Sequence, residues 1–509
     1  MRAPNASNNI ADQALRIFAT ALAVALVGFV STTQQVSNDF WLQAKIGALI
    51  LHENAIPETV LFPFTEIRDS AFNAHEWLPS ILFDWILTTF GETSLPFISG
   101  LLGCILFALI VRLAYRKSNG NLPVALAFGL LALAAENYRH VLRPELMALI
   151  FLVLCLECLR SIQVRYTNRS AALFLIWSAL WANTHGSFVL APMLAMACGA
   201  GCWLDQRQEG RGISLSHPAT IFFGLALGAF LCTLVNPFGL NIWKFVLNFT
   251  QAGVAKAEII EWIPTLDPRL RPIRGTWIGL ATIGIGLSLL WKTRDKISHV
   301  DAIVFLLFLG LMLQASRFLV YAGIAASFAF SGSPAINTTS STRAFGVVVF
   351  MTLVLWGGVL RFGNATGVYP YSLADQTKLT PAMVYALSDP AVQGNVLNSY
   401  ALGAELIYRT YPRLRPSIDS RIDSYGDHYF YMHESLLRSR LAMNEFVRRH
   451  AVRFLLLDLA DLEIVQSAGA IEPGQWKIRL MDRKAILLER ITSTATPGTV
   501  LTGPVLPGS

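Results

Sequence analysis

Two short stretches early in the chain carry residues suited to proton transfer. Asp39 stands in SNDFWLQAKIG beside Trp41, and NAHEWLPS later brings His75, Glu76 and Trp77 together. A carboxylate with reduced hydration has its pKa pushed up unless a cation or donor offsets that, and such a group can take a proton from a hydroxyl. The same three residues, Asp39, His75 and Glu76, could instead present two carboxylates and an imidazole to a divalent ion. The plainer alternative is helix caps or solvated surface charge. A second set is cationic: Arg139 and Arg143, in ENYRHVLRPE, His185, in NTHGSF, and Arg317, in QASRF. Planar guanidinium groups and an imidazole suit phosphate oxygens, whereas headgroup anchoring, snorkelling or a structural histidine would explain the same residues without a ligand. A third set, Asp419, Arg421, Asp423, Tyr425 and Gly426, follows a strand-like RPSI and reads either as a ligand site at a strand's carboxyl end or as an ion-pair network.

The elements that must position these groups are mostly apolar. Of 509 residues 54% are hydrophobic and 14% charged, with a mean hydropathy of +0.49, where a soluble domain carries about 25% charge. Charge is uneven: residues 362–509 hold 29 of the 73 charged residues and residues 1–361 hold 44. A membrane part followed by a more polar tail is expected. The net charge of +7 fits the excess of Lys and Arg in cytoplasmic loops and does not point to nucleic acid. The six cysteines all lie in apolar stretches, so no disulfide framework is implied.

Apolar stretches able to cross about 30 Å of hydrocarbon run near 17–34, 96–113, 122–137, 144–160, 170–184, 187–203, 217–235, 275–291, 299–315, 319–332 and 344–361. Trp77 to Phe90 is apolar but short and contains Asp84, so it reads as an interfacial helix. An N-terminus in the cytoplasm puts Arg112, Arg116, Lys117, Arg207 and Lys292 inside, which the positive-inside trend favours. About eleven spans then place the tail outside. The expected fold is an α-helical polytopic membrane protein with a C-terminal extracytoplasmic α/β domain. Its parts are a transmembrane domain over 1–361 with a first outer loop over 35–95, a linker over 362–380, an α/β domain over 381–495 and a disordered end over 496–509. Strand-like NVLNSY, RPSIDSR, VRFLLLD, WKIRLMD and AILLER alternate with helical patterns, and the tail is large enough to fold on its own. A second outer loop, 236–274, holds Lys244, Lys256, Glu258, Glu261, Trp262 and Asp267 and could cover a cavity.

The order of DFWLQAKIG, IPETVLFPFT, HEWL, RPEL, NTHGSF, NPFG and DSRIDSYG resembles the GT-C superfamily of polytopic glycosyltransferases, and within it a bacterial GT-C-like family, over residues 36 to 490. Gln43 stands near a position where a His is expected, and His75-Glu76-Trp77-Leu78 replaces the HPPL form of the loop motif. The resemblance implies sugars carried on a polyprenyl phosphate, matches Asp39 to the catalytic acidic residue of the first loop, and leaves a divalent cation open. The expected partners are a polyprenyl-phosphate-linked sugar, the lipid bilayer and an extracytoplasmic acceptor, with no nucleic acid.

The leading reading is transfer of a sugar to an outward-facing acceptor in the cytoplasmic (inner) membrane. Asp39 acts as base, Glu76 and His75 position the acceptor or a metal, and Arg139, Arg143, His185 and Arg317 meet the donor phosphate. A lipid or polysaccharide transporter or flippase would instead spread ionisable residues through the span interiors. A non-catalytic scaffold of the same build is the third reading.

Overall fold

A computed structural model of the chain describes residues 6–491 apart from 33–35, 136–140, 209–216, 250–252, 254–258, 260, 272–273, 334–335, 337–340, 367–376 and 473. Arg139, Lys256, Glu258 and the 496–509 end lie outside the described residues. The chain divides into two compact units that do not follow its order: residues 1–35, 91–247 and 255–372 form one, and 36–90, 248–254 and 373–509 the other.

The helices are α1 (Ala6–Thr32), α2 (Asn38–Glu53), α3 (Trp77–Phe90), α4 (Leu95–Lys117), α5 (Leu122–Ala134), α6 (Pro144–Val164), α7 (Asn168–Ala182), α8 (Leu190–Gln208), α9 (Pro218–Thr233), α10 (Asn241–Phe249), α11 (Arg274–Thr293), α12 (His299–Gln314), α13 (Leu319–Phe330), α14 (Ser341–Thr366), α15 (Pro381–Ser388), α16 (Gly403–Thr410), α17 (Ile422–Leu436), α18 (Arg440–Arg449) and α19 (Leu459–Ser467). The strands are β1 (Gly394–Asn398), β2 (Leu414–Pro416), β3 (Val452–Asp458), β4 (Trp476–Met481) and β5 (Ala485–Arg490).

The first unit is helical, and each of the eleven apolar stretches coincides with one of its helices. Among the described residues four helical segments are long and apolar enough to cross a membrane: Asp12–Thr32, Glu92–Lys117, Pro144–Val164 and Gly186–Gln208. The other helices do not meet that measure over their described residues, and the count of eleven remains an expectation. Small residues let backbones approach, as in membrane bundles. The Ser99 hydroxyl of α4 donates to the Ser31 carbonyl of α1 at 2.8 Å, and a Cβ on Gly201 of α8 would fall 2.5 Å from Val300 Cα of α12. Buried apolar side chains from α1, α4–α9 and α11–α14 form one continuous core. Ionic pairs lie at helix ends. Lys117, ending α4, pairs with Asp301, beginning α12, both nearly buried. Asp205 takes His299 Nδ1 at 2.5 Å.

In the second unit the five strands form one sheet in the order β2-β1-β3-β5-β4. β1 is parallel to β2 and β3, while β5 runs antiparallel to β3 and β4. The Val- and Leu-rich β3 is buried along Phe454–Leu457, as a central strand covered on both faces should be. One apolar cluster joins Leu455, Leu457, Met443, Val447 and Trp476, and another joins Phe454, Leu456, Val396, Leu406 and Met383.

The sequence reading grouped the first loop with the membrane part, but the structure packs it with the tail. Leu42, Ile46, Ile50 and Phe62 share a buried cluster with Ala404 and Ile407 of α16. The Phe64 amide donates to the Pro416 carbonyl at 3.2 Å, and Glu66 pairs with Arg449 at 2.8 Å. Residues 380–495 expressed alone would therefore expose Ala404 and Ile407. Two glycines are required by close approach: a Cβ on Gly47 of α2 would sit 2.0 Å from the Ser80 carbonyl oxygen of α3, and one on Gly403 would sit 2.1 Å from the Ile418 carbonyl oxygen.

Candidate functional site

Asp39 occupies the first turn of α2. Ser37 caps that turn, its hydroxyl accepting the Asp39 amide at 3.2 Å and donating to Asp39 Oδ2 at 3.4 Å. The carboxylate is half-buried. Behind it, Trp41 is fully buried, and the Arg409 guanidinium lies 4.6 Å from its ring centroid. Asp39 thus sits on a helix end fixed by packing.

Glu76 precedes α3. Its Oε2 accepts from Gln43 Nε2 at 2.6 Å. The Ser80 hydroxyl is shared between Gln43 Oε1 and the Glu76 carbonyl. Gln43, where the resemblance led one to expect a histidine, therefore ties α2 to α3 beside the Gly47 crossing. His75 lies with Nε2 at 3.8 Å from Glu76 Oε1, and its Nδ1 is 3.1 Å from the Asn73 carbonyl. Burial pushes the imidazole down to about 4, against a smaller upward pull from the Asn73 carbonyl, so His75 is neutral at pH 7. Among the described residues no three His, Cys, Asp or Glu side chains gather as a metal-binding group. Asp39, His75 and Glu76 therefore do not form a ready ligand set for a divalent ion.

His433 is a second buried neutral histidine of the same unit. Its Nε2 lies 3.1 Å from Ser417 Oγ, and burial pushes it down to about 4. Both folded values lie below the unfolded value near 6.5, so as pH falls the unfolded chain takes protons first. The stability these groups contribute is complete above about pH 6.5 and lost progressively toward pH 4, at about 1.4 kcal/mol per pKa unit. Hydrogen exchange on the full chain in detergent is expected to show weaker protection of β1 and β3 at pH 5 than at pH 7, after correction for intrinsic rates. In His433→Gln that pH dependence should be smaller.

In the helical unit the structure gathers three of the predicted residues from three separate turns. Arg143 ends the turn before α6, His185 follows α7, and Arg317 lies between α12 and α13. Glu145, in the first turn of α6, binds Arg143 NH2 at 2.7 Å and Arg317 NH2 at 3.1 Å, and the Tyr321 hydroxyl donates to it at 3.4 Å. Glu261 binds Arg143 NH1 at 2.7 Å. The Arg317 amide and the Ser316 hydroxyl both donate to the Glu261 carbonyl, at 2.9 and 3.3 Å, and Trp262 covers the Arg317 guanidinium at 4.5 Å. His185 Nδ1 accepts the Ser187 amide at 3.1 Å. Its Nε2 lies 3.5 Å from Arg317 NH2. Two guanidinium groups and an imidazole thus converge where an anion could bind. This cluster lies at the opposite end of α12 from Asp301, about 24 Å away by helical rise.

Glu145 and Glu261 were quoted in the sequence motifs but not assigned to the site. Asp419, Arg421 and Tyr425 form a structural network: Arg421 binds Asp419 through Nε at 2.9 Å and through NH2 at 2.5 Å, and the Tyr425 hydroxyl donates to Asp419 at 2.9 Å. The Asp423 side chain lies outside the described residues.

No protein-family model matches the sequence, and no curated protein matches it. Solved structures share its fold. An oligosaccharyltransferase of Archaeoglobus fulgidus tethered with an acceptor peptide containing the NVT sequon superposes with a TM-score of 0.57 at 12% identity, over 95% of this chain and 74% of that one. The oligosaccharyltransferase AglB from Archaeoglobus fulgidus, in complex with an inhibitory peptide and a dolichol-phosphate, gives 0.54 at 12% identity, over 92% and 73%. ArnT from Cupriavidus metallidurans bound to undecaprenyl phosphate gives 0.48 at 14% identity, over 95% and 99%.

Proposed function

From the premise that the chain carries the fold of the GT-C membrane glycosyltransferases, we propose that it is an integral membrane enzyme that moves a sugar from a polyprenyl-phosphate donor to an extracytoplasmic acceptor. The observation that carries this reading is the convergence of Arg143, Arg317 and His185 at one end of the helical unit. Asp39 takes the proton of the acceptor hydroxyl as its oxygen bonds to the sugar. The bond from the sugar to the lipid phosphate breaks, and the cationic cluster offsets the charge left on that phosphate. Glu76 and Gln43 hold α2 against α3, and neutral His75 is available as a hydrogen-bond partner for the acceptor. Arg139, outside the described residues, stands four positions before Arg143 in the sequence and is assigned to the same phosphate. No step is routed through a metal.

A transporter would spread ionisable groups through the span interiors. Among the described residues Arg143, Glu145, Glu261 and Arg317 gather in turns and in the first turn of a helix at one end of the helical unit, which supports chemistry there.

Eleven spans with a cytoplasmic N-terminus put both the cluster and the tail outside. A reporter active only outside the cytoplasm is expected to work when fused after residue 365 and to fail when fused at Arg116. Membranes holding the protein should move label from a polyprenyl-phosphate sugar to an extracytoplasmic acceptor. Lipid binding without transfer across a broad acceptor panel would move the preference to a transporter.

A further inference from the structure

The Arg143 and Arg317 cluster lies beyond the C-terminal end of α12. At the other end of that helix, two arginines of the same unit are each laid on a tryptophan ring. Arg207, in the last turn of α8, has its guanidinium 4.8 Å from the Trp203 centroid, and Arg294, the first residue after α11, lies 4.5 Å from that of Trp291. Both arginines are exposed, Trp291 is 71% exposed and Trp203 is half-buried. Lys292 and Lys296, also exposed, stand beside Arg294 in the chain.

The two stacks stand on one frame. Asp205, between Trp203 and Arg207, accepts from the His299 amide at 3.2 Å and from its Nδ1 at 2.5 Å, which ties the last turn of α8 to the first of α12. One turn back along α8, Gly201 meets Val300 at the close crossing described above. The turn from α11 into α12 is closed by the Lys296 and Ile297 amides, which both donate to the Thr293 carbonyl at 2.8 Å, and Ser298 caps α12. Packing therefore sets where each ring and guanidinium is presented.

A bias of cations toward one end of a bundle explains the charges. It does not explain why both arginines lie on indole rings. Exposed Trp partitions to the headgroup level of a bilayer, where its ring meets apolar carbon and its edge meets water. A guanidinium stacked on that ring is shielded on one face and keeps its in-plane N–H groups in the fork that matches two phosphate oxygens. The nearby carboxylates do not occupy that fork: Asp205 is engaged with His299, and Asp295, 88% exposed, is 3.9 Å from Arg294 Nε, a contact of little strength in water.

We propose that this end of the helical unit binds an anionic glycerophospholipid, with Arg207 and Arg294 as its phosphate contacts and Trp203 and Trp291 against its glycerol and upper acyl carbons. The inference goes beyond the transfer reaction proposed above and does not depend on it.

The test titrates the full-length chain, in a neutral detergent, with phosphatidylglycerol and with phosphatidylcholine of the same acyl chains, counting bound lipid by native mass spectrometry. Phosphatidylglycerol is expected to bind about tenfold more tightly. Each cation at a lipid headgroup contributes about fivefold, so Arg207→Gln with Arg294→Gln should weaken phosphatidylglycerol roughly twentyfold. The matched control, Arg165→Gln with Arg169→Gln, removes two exposed cations around the turn from α6 to α7, at the end of α6 away from Glu145, and should stay within twofold of wild type. Arg207→Lys with Arg294→Lys keeps both charges but not the fork, and should still bind about fivefold more weakly than wild type. Equal losses in the first two variants would mean diffuse attraction, and wild-type binding by the lysine variant would mean that the stacks select nothing; either overturns the proposal, as does unchanged binding in the first variant. Competition by millimolar glycerol 3-phosphate would also overturn it, by making the occupant a soluble anion.

Discussion

Asp39→Asn is expected to lower sugar transfer by about 10² to 10⁴ while donor-lipid binding stays within twofold. The substitution keeps the size of the side chain and an oxygen that can still accept from Ser37, so the helix start survives, but an amide cannot take the acceptor's proton. The loss should therefore appear in kcat rather than in the donor KM. Glu76→Gln separates a positioning role from a chemical one. It would replace the charge-assisted bond from Gln43 Nε2 with a weaker one to an amide oxygen, holding α2 less tightly on α3 and lowering both kcat and stability. The exchanged pair, Gln43→Glu with Glu76→Gln, restores a carboxylate–amide hydrogen bond between the same helices. Recovery of stability and activity in that double variant would make Glu76 a strap; recovery of stability alone would make its charge part of the chemistry. Transfer at the wild-type rate by Asp39→Asn, in membranes with matched protein levels, would remove the base from the proposed mechanism.

The helices were legible in the sequence because apolar length is a local property, and the strands because runs such as VRFLLLD combine β-branched and aromatic residues between turn signals. Arg143 stood out because a cation in a turn expected outside runs against the positive-inside trend, Arg317 because it is the one cation of a very short turn and its planar guanidinium suits phosphate oxygens, and His185 because it lies in a tight Asn-Thr-His-Gly turn. Their carboxylate partners did not stand out. Glu145 reads locally as a first-turn residue, and Glu261 reads as one of several charges in a long loop. What makes them part of the site is pairing across 118 residues from Arg143 to Glu261 and 172 from Glu145 to Arg317, which no local pattern encodes. The union of the first loop with the tail was hidden for the same reason. Its one trace was that IPETVLFPFT and DSRIDSYG both belong to the ordered set of motifs, without any sign that they touch.

That contact carries the largest stability effect expected in the chain. Arg421 is 6% exposed, and its guanidinium is bound by the fully buried Asp419. It lies between two rings of the first loop, 5.1 Å from the Phe62 centroid and 4.8 Å from that of Phe72. Arg421→Ala would leave the Asp419 carboxylate buried with only Tyr425 and backbone donors and would open a gap between the two rings. Breaking one side of a buried pair costs about 3 to 5 kcal/mol, so thermal unfolding of the full chain should shift down sharply, with early proteolysis in 60–72. Arg421→Lys keeps the charge but cannot bind both carboxylate oxygens while stacking on two rings, so it should recover only part of the loss. Because α2 packs on α16 within the same unit, the damage should also reach Asp39: transfer should fall in the alanine variant even at temperatures where the protein stays folded. Donor-lipid binding, assigned to the helical unit, should not. A variant that unfolds at the wild-type temperature would mean that the Arg421 stack contributes nothing to holding the loop. Full activity in a variant that is destabilised would mean that the loop's attachment to the tail does not position the base.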